Sequence, residues 1–322
     1  MGFNKDKKQI DFNDIKDDPI KFTELFRIGF NSATKLEGIL PLLAFEEDVL
    51  KLIHKNKYSL IIKSRQMHAS SLIASYTTFK LTTTENYQVA VISPNIGYGV
   101  DFKEKVYNNV LEVPFEFFNK GKKFLMNKKI MQISNGSKLH IFGSSKDSLI
   151  SRRFDLIIFE EADFINNFEK IYQTAITQLN KNGKIIIVST PNYEGGFFEK
   201  LYKDSKNSKN NFQSLELHWT INPYYHTYIE KIGDNANHYL NYSSPYIENI
   251  KKTFLGDIEL FNAEYNLVFR KRPQKKEKTF TFRLNTDLTV ALLNRINNQK
   301  FQNNISNYIR YLIQKDIKKS TE

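Results

Sequence analysis

The sequence predicts an α/β domain with a central, mostly parallel sheet, followed by a small strand–helix–helix unit. Five short apolar runs lie between residues 59 and 190. Continuous apolar runs are typical of strands covered on both faces, as in parallel sheets. Helix-like stretches separate some of these runs, and this alternation is the pattern of an α/β domain.

The elements follow from the positions of these runs. Strands are predicted at residues 59–63, 88–93, 138–143, 155–159 and 184–190, and helices at 70–81 and 168–180. Residues 203–212, KDSKNSKNNF, are predicted to form a loop. Ligands of open parallel sheets bind beyond the carboxyl ends of the strands. The polar residues after each run are therefore the candidate site.

The composition excludes several classes of protein. The chain has 322 residues, 40% of them hydrophobic and none of them cysteine, so disulfides and cysteine metal sites are excluded. No apolar run approaches the roughly 18 residues of a membrane span. The N-terminus has mixed charge and lacks an apolar signal segment, so we expect a cytoplasmic protein without membrane contact.

Positive charge is concentrated near the C-terminus. Residues 270–322 contain 13 Lys and Arg against 4 Asp and Glu, which gives +9 of the chain's net +12. Such a segment is typical of proteins that bind the phosphate backbone of nucleic acids. The alternative is a solvated tail that only promotes solubility.

Four regions are predicted. Residues 1–38 form an N-terminal arm, 39–269 the α/β domain, 270–278 a basic linker that contains Pro273, and 279–322 the C-terminal unit. In that unit, Phe280 and Phe282 alternate with polar residues, as in a strand with one apolar face. Two apolar stripes with helical spacing follow.

The strand–helix–helix pattern of residues 279–322 resembles the ribbon-helix-helix family of DNA-binding proteins. In that family two chains pair their strands, so the resemblance implies a homodimer that reads double-stranded DNA in the major groove. The implied base contacts are Thr279, Thr281 and Arg283. Backbone N–H groups of Asn304, Ile305 and Ser306 would bind a phosphate. A helical hairpin packed on the main domain and a protein–protein dimerisation module remain alternatives.

Three segments of the main domain suggest a nucleotide site. KSRQMHASS at residues 63–71 joins a strand to a helix, residues 151–165 contain the acidic pair EE, and residues 189–192 read STPN. Their order resembles the ATPase domain of the phage terminase large subunit, over about residues 39–269. The resemblance implies a P-loop NTPase fold, ATP and Mg²⁺ as cofactors, a bacterial host cytoplasm, and portal or small-terminase proteins as partners.

The resemblance also assigns residues. Glu161 would polarise the attacking water, with Arg65 as a second catalytic residue. The implied nucleotide and Mg²⁺ contacts are Lys63, Ser64, Gln66, Ser70, Ser71, Glu160, Ser189 and Thr190. We expect no nuclease domain of that family in residues 270–322, because the segment is short and its few acidic residues are scattered. No metal site of any other kind is predicted, because the six histidines show no ligand spacing.

The phosphate loop departs from the family at two positions. His68 stands where glycine is expected, and Ala69 where the lysine that contacts the phosphates is expected. Glu160 replaces an aspartate, and Lys63 or Arg65 could supply the missing charge. Glu160 and Glu161 could alternatively be structural, paired with Arg152 or Arg153, and His68 a plain loop histidine.

Three functions follow from these departures. The first is a terminase-like DNA-binding protein with a catalytically degenerate ATPase domain, acting in phage or plasmid DNA packaging or maintenance. The second is an active ATP-driven packaging motor. The third is a ribbon-helix-helix repressor or partition protein that uses the large domain as a scaffold.

Overall fold

The computed structural model describes residues 12–31, 36–39, 41–118, 123–144 and 152–272. The chain divides after Arg272 into two units, Met1–Arg272 and Pro273–Glu322. The predicted ribbon-helix-helix residues Thr279, Thr281, Arg283, Asn304, Ile305 and Ser306 lie outside the described residues.

Helices and strands alternate through the main domain. The helices are α1 (Phe12–Ile15), α2 (Pro19–Phe26), α3 (Ala44–Lys55), α4 (Ala69–Thr83), α5 (Ile96–Glu112), α6 (Phe168–Thr177), α7 (Phe197–Lys206), α8 (Pro245–Thr253) and α9 (Ile258–Tyr265). The strands are β1 (Ile28–Asn31), β2 (Leu36–Ile39), β3 (Tyr58–Lys63), β4 (Gln88–Ile92), β5 (Phe124–Met126), β6 (Ile130–Ile133), β7 (Lys138–Phe142), β8 (Phe154–Glu160), β9 (Leu179–Ser189), β10 (Gln213–Leu217), β11 (Glu230–Lys231) and β12 (Tyr242–Ser243). Among the described residues, no helix is long and apolar enough to span a membrane.

The central sheet has eight strands in the order β10-β3-β9-β8-β4-β7-β6-β5. The strands from β10 to β7 pair in parallel, and β6 and β5 continue the sheet antiparallel. Both faces of the sheet are covered: Ile61 of β3 belongs to one buried cluster, and Leu60 and Ile62 to the cluster on the other face. The prediction of a mostly parallel central sheet is confirmed.

Residues of the predicted N-terminal arm contribute to the core. Phe22 and Phe26 of α2 are fully buried, and the Phe22 ring lies edge-on to Phe79 of α4 at 5.4 Å between centroids. At the other end of the domain, the Arg270 N–H donates to the Asn192 carbonyl at 2.8 Å. The predicted basic linker therefore begins in contact with the STPN segment.

Two predicted elements were wrong in extent. The helix predicted at 168–180 ends at Thr177, because the chain joins β9 at Leu179, opposite Phe154 of β8. The loop predicted at 203–212 begins only after α7 ends at Lys206. An ion pair of 2.7 Å between Glu199 and Lys203, one turn apart, supports this last part of α7.

The order of the strands brings three predicted segments together. β3, β9 and β8 are adjacent and parallel, and they end at Lys63, Ser189 and Glu160. The loop after β3, the acidic pair after β8 and the STPN segment after β9 therefore lie at one edge of the sheet. This is the edge at which open α/β sheets bind ligands.

Candidate functional site

The loop between β3 and α4 has the backbone of a phosphate-binding turn. Gln66 and His68 have positive φ values of 59° and 55°. α4 then begins at Ala69 with no side chain capping its N-terminus. Uncapped N–H groups and the helix dipole favour an anion at this position. His68 thus adopts a left-handed conformation that glycine reaches at lower cost, by about 1–2 kcal/mol.

Glu46 of α3 fixes the His68 side chain. The Nδ1 atom of His68 lies 3.3 Å from the Oε1 atom of Glu46. Glu46 is buried and accepts hydrogen bonds from Arg27 at 3.0 and 3.1 Å. Burial works to raise the pKa of Glu46, but the hydrogen bonds to His68 and Arg27 lower it overall. His68 is therefore anchored to a buried ion pair, which the prediction of a plain loop histidine did not include.

Ser64 and Arg65, the first two residues of the loop, form hydrogen bonds with residues from the C-terminal part of the main domain. The Ser64 hydroxyl is buried and accepts a hydrogen bond from the Trp219 N–H at 3.1 Å. The Arg65 guanidinium pairs with the buried carboxylate of Glu264 in α9, with Nη2 3.0 Å from Oε1. The Tyr225 hydroxyl donates to the Arg65 carbonyl at 2.7 Å. The Trp219 N–H thus holds the Ser64 hydroxyl, and Glu264 holds the Arg65 side chain.

Ser70 and Glu160 meet where α4 begins and β8 ends. The Ser70 hydroxyl donates to Oε1 of Glu160, whereas Oε2 of Glu160 is buried without a hydrogen-bond partner among the described residues. Burial, assisted by the charge of Glu161, raises the pKa of Glu160 to about 7. Buried carboxylate oxygens are normally hydrogen-bonded or bound to a cation, so this oxygen is available to a cation.

Glu161 contacts residues at the ends of β3 and β9. Its Oε1 accepts a hydrogen bond from the Nζ of Lys63 at 2.8 Å, and its Oε2 accepts one from the N–H of Thr190 at 3.2 Å. The residue has a φ of 49°. Strained left-handed residues are concentrated at functional sites. Burial works to raise the pKa of Glu161, but the charge and hydrogen bond of Lys63 lower it overall.

Among the described residues, the two glutamates do not pair with Arg152 or Arg153. Arg152 contacts the Nδ1 of His140 at 3.1 Å, and Arg153 donates to the Thr177 carbonyl at 2.8 Å. The glutamates instead contact Ser70 and Lys63.

Ser189 forms a hydrogen bond with the acidic segment after β8. Its hydroxyl accepts a hydrogen bond from the Asp163 N–H at 3.1 Å and donates to the Thr190 carbonyl at 2.7 Å. It therefore positions the loop, while Thr190 contacts Glu161 directly.

A cavity of about 670 Å³ is lined by some of these groups, but Ser64, Glu160, Ser189 and Thr190 are not among its lining residues. The predicted residues that line it are Lys63, Arg65, Gln66, Ser70, Ser71 and Glu161. Lys105, Tyr224 and Tyr246 also line it and were missed, because they lie far from the loop in sequence. A cavity of about 710 Å³ beyond β4 and β7 contains none of the predicted residues among its described walls.

The described residues contain no cluster of three or more histidines and carboxylates that could bind a metal. Ser70 and Glu160 would thus supply only two ligands. Mg²⁺ is normally bound in this way, with few protein ligands and the rest from phosphates and water. The donor set fits a magnesium ion that arrives with a nucleotide.

Several solved structures are similar to this fold. The large terminase of the thermophilic bacteriophage D6E matches with a TM-score of 0.51 and 12% identity, over 72% of this chain and 54% of that one. The D6E protein has also been solved with ADP and with ATP-γ-S. The HK97 bacteriophage large terminase matches with a TM-score of 0.56 and 14% identity, over 80% of this chain and 55% of that one.

The isolated ATPase domain of the Thermus phage P74-26 large terminase matches over 69% of this chain and 92% of that one. Its TM-score is 0.50 and its identity 18%. This chain thus spans about half the length of the complete terminases and nearly all of the isolated ATPase domain. At these identities the likeness establishes the fold.

The sequence also matches a protein-family model. The model described as "Terminase large subunit, T4likevirus-type, N-terminal" matches residues 60–276. The match contains the loop after β3, both glutamates and the STPN segment. The chain therefore belongs to the family of terminase large subunits of the T4likevirus type, through their N-terminal domain.

Proposed function

We propose that this chain binds a magnesium–nucleoside triphosphate at the edge formed by β3, β8 and β9, that it acts on phage DNA during packaging, and that it hydrolyses ATP slowly. One observation carries the proposal: the Ser70–Glu160 pair lies beside the Lys63–Glu161 pair, at the ends of strands that flank β9. These are the two acidic positions at which P-loop enzymes hold the metal and polarise water.

The phosphates would lie on the turn before α4. The left-handed residues Gln66 and His68 curve the backbone, and the uncapped start of α4 directs N–H groups at the same place. This arrangement supports anion binding without a side-chain charge, because the backbone dipoles alone favour a negative group.

Magnesium would be bound by Ser70 and Glu160. The free, buried Oε2 of Glu160 and the neighbouring hydroxyl match a hard cation that prefers oxygen ligands. When bound, the ion would neutralise part of the phosphate charge. The longer side chain of Glu160 does not prevent this role, because its carboxylate already reaches Ser70.

The base would lie toward the aromatic side of the cavity. Tyr224 and Tyr246 line this side and have exposed rings. Aromatic rings stack on any nucleobase with little sequence preference. Gln66 lines the same cavity and carries an amide that can bond to a base edge.

Slow hydrolysis follows from two features. Ala69 provides no charge where the family has a lysine, and charge neutralisation is most of phosphoryl-transfer catalysis. Glu161, which would orient the water, is engaged by Lys63 and Thr190. The retained Glu161, Arg65 and STPN segment favour a second candidate, an active ATP-driven motor.

The DNA contacts are assigned to the basic C-terminal segment. Its net charge of +9 supports binding to the DNA backbone, and its pattern supports a ribbon-helix-helix homodimer. Portal or small-terminase proteins in the bacterial cytoplasm are the partners that membership of this family suggests.

ATP hydrolysis, measured with and without duplex DNA, tests the proposal. Slow hydrolysis predicts a rate close to the protein-free background under both conditions. DNA-stimulated turnover that disappears in Glu161→Gln would instead establish the active motor.

A further inference from the structure

We propose that Lys105 of α5 provides the phosphates with the positive charge that the loop lacks at Ala69. The proposal rests on the proposed nucleotide binding and extends it. Lys105 lines the cavity together with Ala69 and Ser70, although it lies 36 positions after Ala69 in the sequence. Ala69 contributes only a methyl group to this wall, so a side chain from elsewhere can approach.

The other cations of the cavity are already paired. Lys63 is 2.8 Å from Glu161, and both side chains are largely buried. Arg65 forms an ion pair with the buried carboxylate of Glu264. Each of these charges is largely offset by its own carboxylate, so it adds little net attraction for a phosphate.

Lys105 differs from them. Its side chain is exposed, and it forms no ion pair within 4 Å in the part of the chain that the structure describes. A lysine on a flexible four-carbon stem can follow a phosphate without a fixed geometry.

The packing of α5 determines where Lys105 stands. Asn95 caps the helix by accepting a hydrogen bond from the Gly97 N–H at 2.9 Å. Phe102 and Val106 bury one face of the helix. Gly99 allows close approach to β7, because a Cβ there would lie 2.3 Å from the Ile141 Cγ2 atom. The exposed face, with Lys105, is thereby held beside the start of α4.

Isothermal calorimetry of Lys105→Ala with ATP-γ-S and with ADP tests this role. We expect the affinity for ATP-γ-S to fall by at least about tenfold, as for the loss of one charge-assisted hydrogen bond. The loss for ADP should be smaller, because ADP lacks the terminal phosphate. Lys105→Arg should retain most of the affinity. Lys200→Ala, an exposed helical lysine outside the cavity, should bind like the wild type.

The outcomes separate this role from the proposed function. Wild-type binding that Lys105→Ala leaves unchanged would overturn the role of Lys105 and leave the nucleotide site intact. A wild type that binds neither nucleotide would overturn the proposed function, and the role of Lys105 with it. Circular dichroism of each variant verifies its fold.

Discussion

Lys63 and Glu161 are 98 positions apart in the chain, yet the Nζ of Lys63 donates a hydrogen bond of 2.8 Å to the Oε1 of Glu161. The pair joins the end of β3 to the residue after β8, across the intervening strand β9. It holds the carboxylate that would orient water and, at the same time, occupies a lysine that could otherwise contact phosphate.

Removal of Lys63 alone should destabilise the protein. Lys63→Met leaves the carboxylate of Glu161 without its cationic partner. We expect the free energy of unfolding to fall by about 2 kcal/mol, less than for a fully buried pair, because the Glu161 side chain is partly exposed. Lys63→Met combined with Glu161→Gln should recover most of the loss. Urea unfolding of the four proteins in this double-mutant cycle measures the coupling. If the losses of the two single variants simply add in the double variant, the ion pair contributes nothing to stability.

Ser70→Ala and Glu160→Gln should remove the effect of magnesium on nucleotide binding. Ser70→Ala removes an oxygen ligand of the proposed ion, and Glu160→Gln replaces its charged carboxylate by a neutral amide. We expect wild-type affinity for ATP-γ-S to rise when Mg²⁺ is added and the affinity of the variants to stay the same. Thr253→Ala, which removes an exposed hydroxyl of α8 outside the cavity, is the control. A full magnesium effect in both variants would exclude the assigned ligands.

Two buried histidines should make the fold sensitive to acid. Burial lowers the pKa of His140 and of His218 to about 4, against about 6.5 for an unfolded histidine. Between these values the unfolded chain binds a proton that the folded chain does not, so stability falls as the pH drops from 6.5 toward 4. Each histidine contributes on the order of 1–3 kcal/mol to this loss.

Neutral replacements test the assignment. His140→Asn can still accept the hydrogen bond from Arg152, and His218→Asn can still cap the turn at Thr220. Thermal unfolding from pH 4 to 7 should show a shallower pH dependence in each variant than in the wild type. Parallel curves for wild type and variants would refute the pKa assignment.

Gly99→Val should displace α5. The new side chain would overlap Ile141 of β7, and overpacking of this kind costs about 1–3 kcal/mol. Because Lys105 is on the same helix, ATP-γ-S should also bind more weakly. Asn108→Ala, an exposed position of α5, is the control for helix substitution. Unchanged stability in Gly99→Val, measured by urea unfolding, would contradict the close packing.

The basic C-terminal segment should determine how DNA binding responds to salt. Lys275, Lys276 and Lys278 lie in the predicted linker, and their joint replacement by glutamine should reduce the slope of log affinity against log salt by up to about 3, or about 0.9 for each lost phosphate contact. Filter binding to duplex DNA across a salt series measures the slope. The same replacement of the exposed lysines 200, 209 and 252 should leave it unchanged, and equal slopes for both sets would rule out a specific role of the linker.

The sheet and the position of the loop could be predicted from sequence, because local patterns determine them. Continuous apolar runs indicated β3 and β8, and the polar residues at their ends indicated the site. The partners of the loop could not be found in this way. Glu264 lies 199 positions from Arg65, and Glu46 lies on a helix that precedes β3.

Lys105 is the clearest example of a site residue that the sequence alone could not identify. On the sequence it is one of many charged residues of an amphipathic helix, and only the packing of α5 beside α4 places it in the cavity. The end of α6 could not be predicted for the same reason. Leu179 joins β9 because it pairs with Phe154, and no local stop signal precedes it.

Calorimetric titration of the wild-type chain with ATP-γ-S, in the presence and absence of Mg²⁺, tests the central claim most directly. Saturable binding of one nucleotide per chain that strengthens with Mg²⁺ is the predicted result. The absence of saturable heat at millimolar nucleotide, with Mg²⁺ present, would contradict a nucleotide site at the loop between β3 and α4.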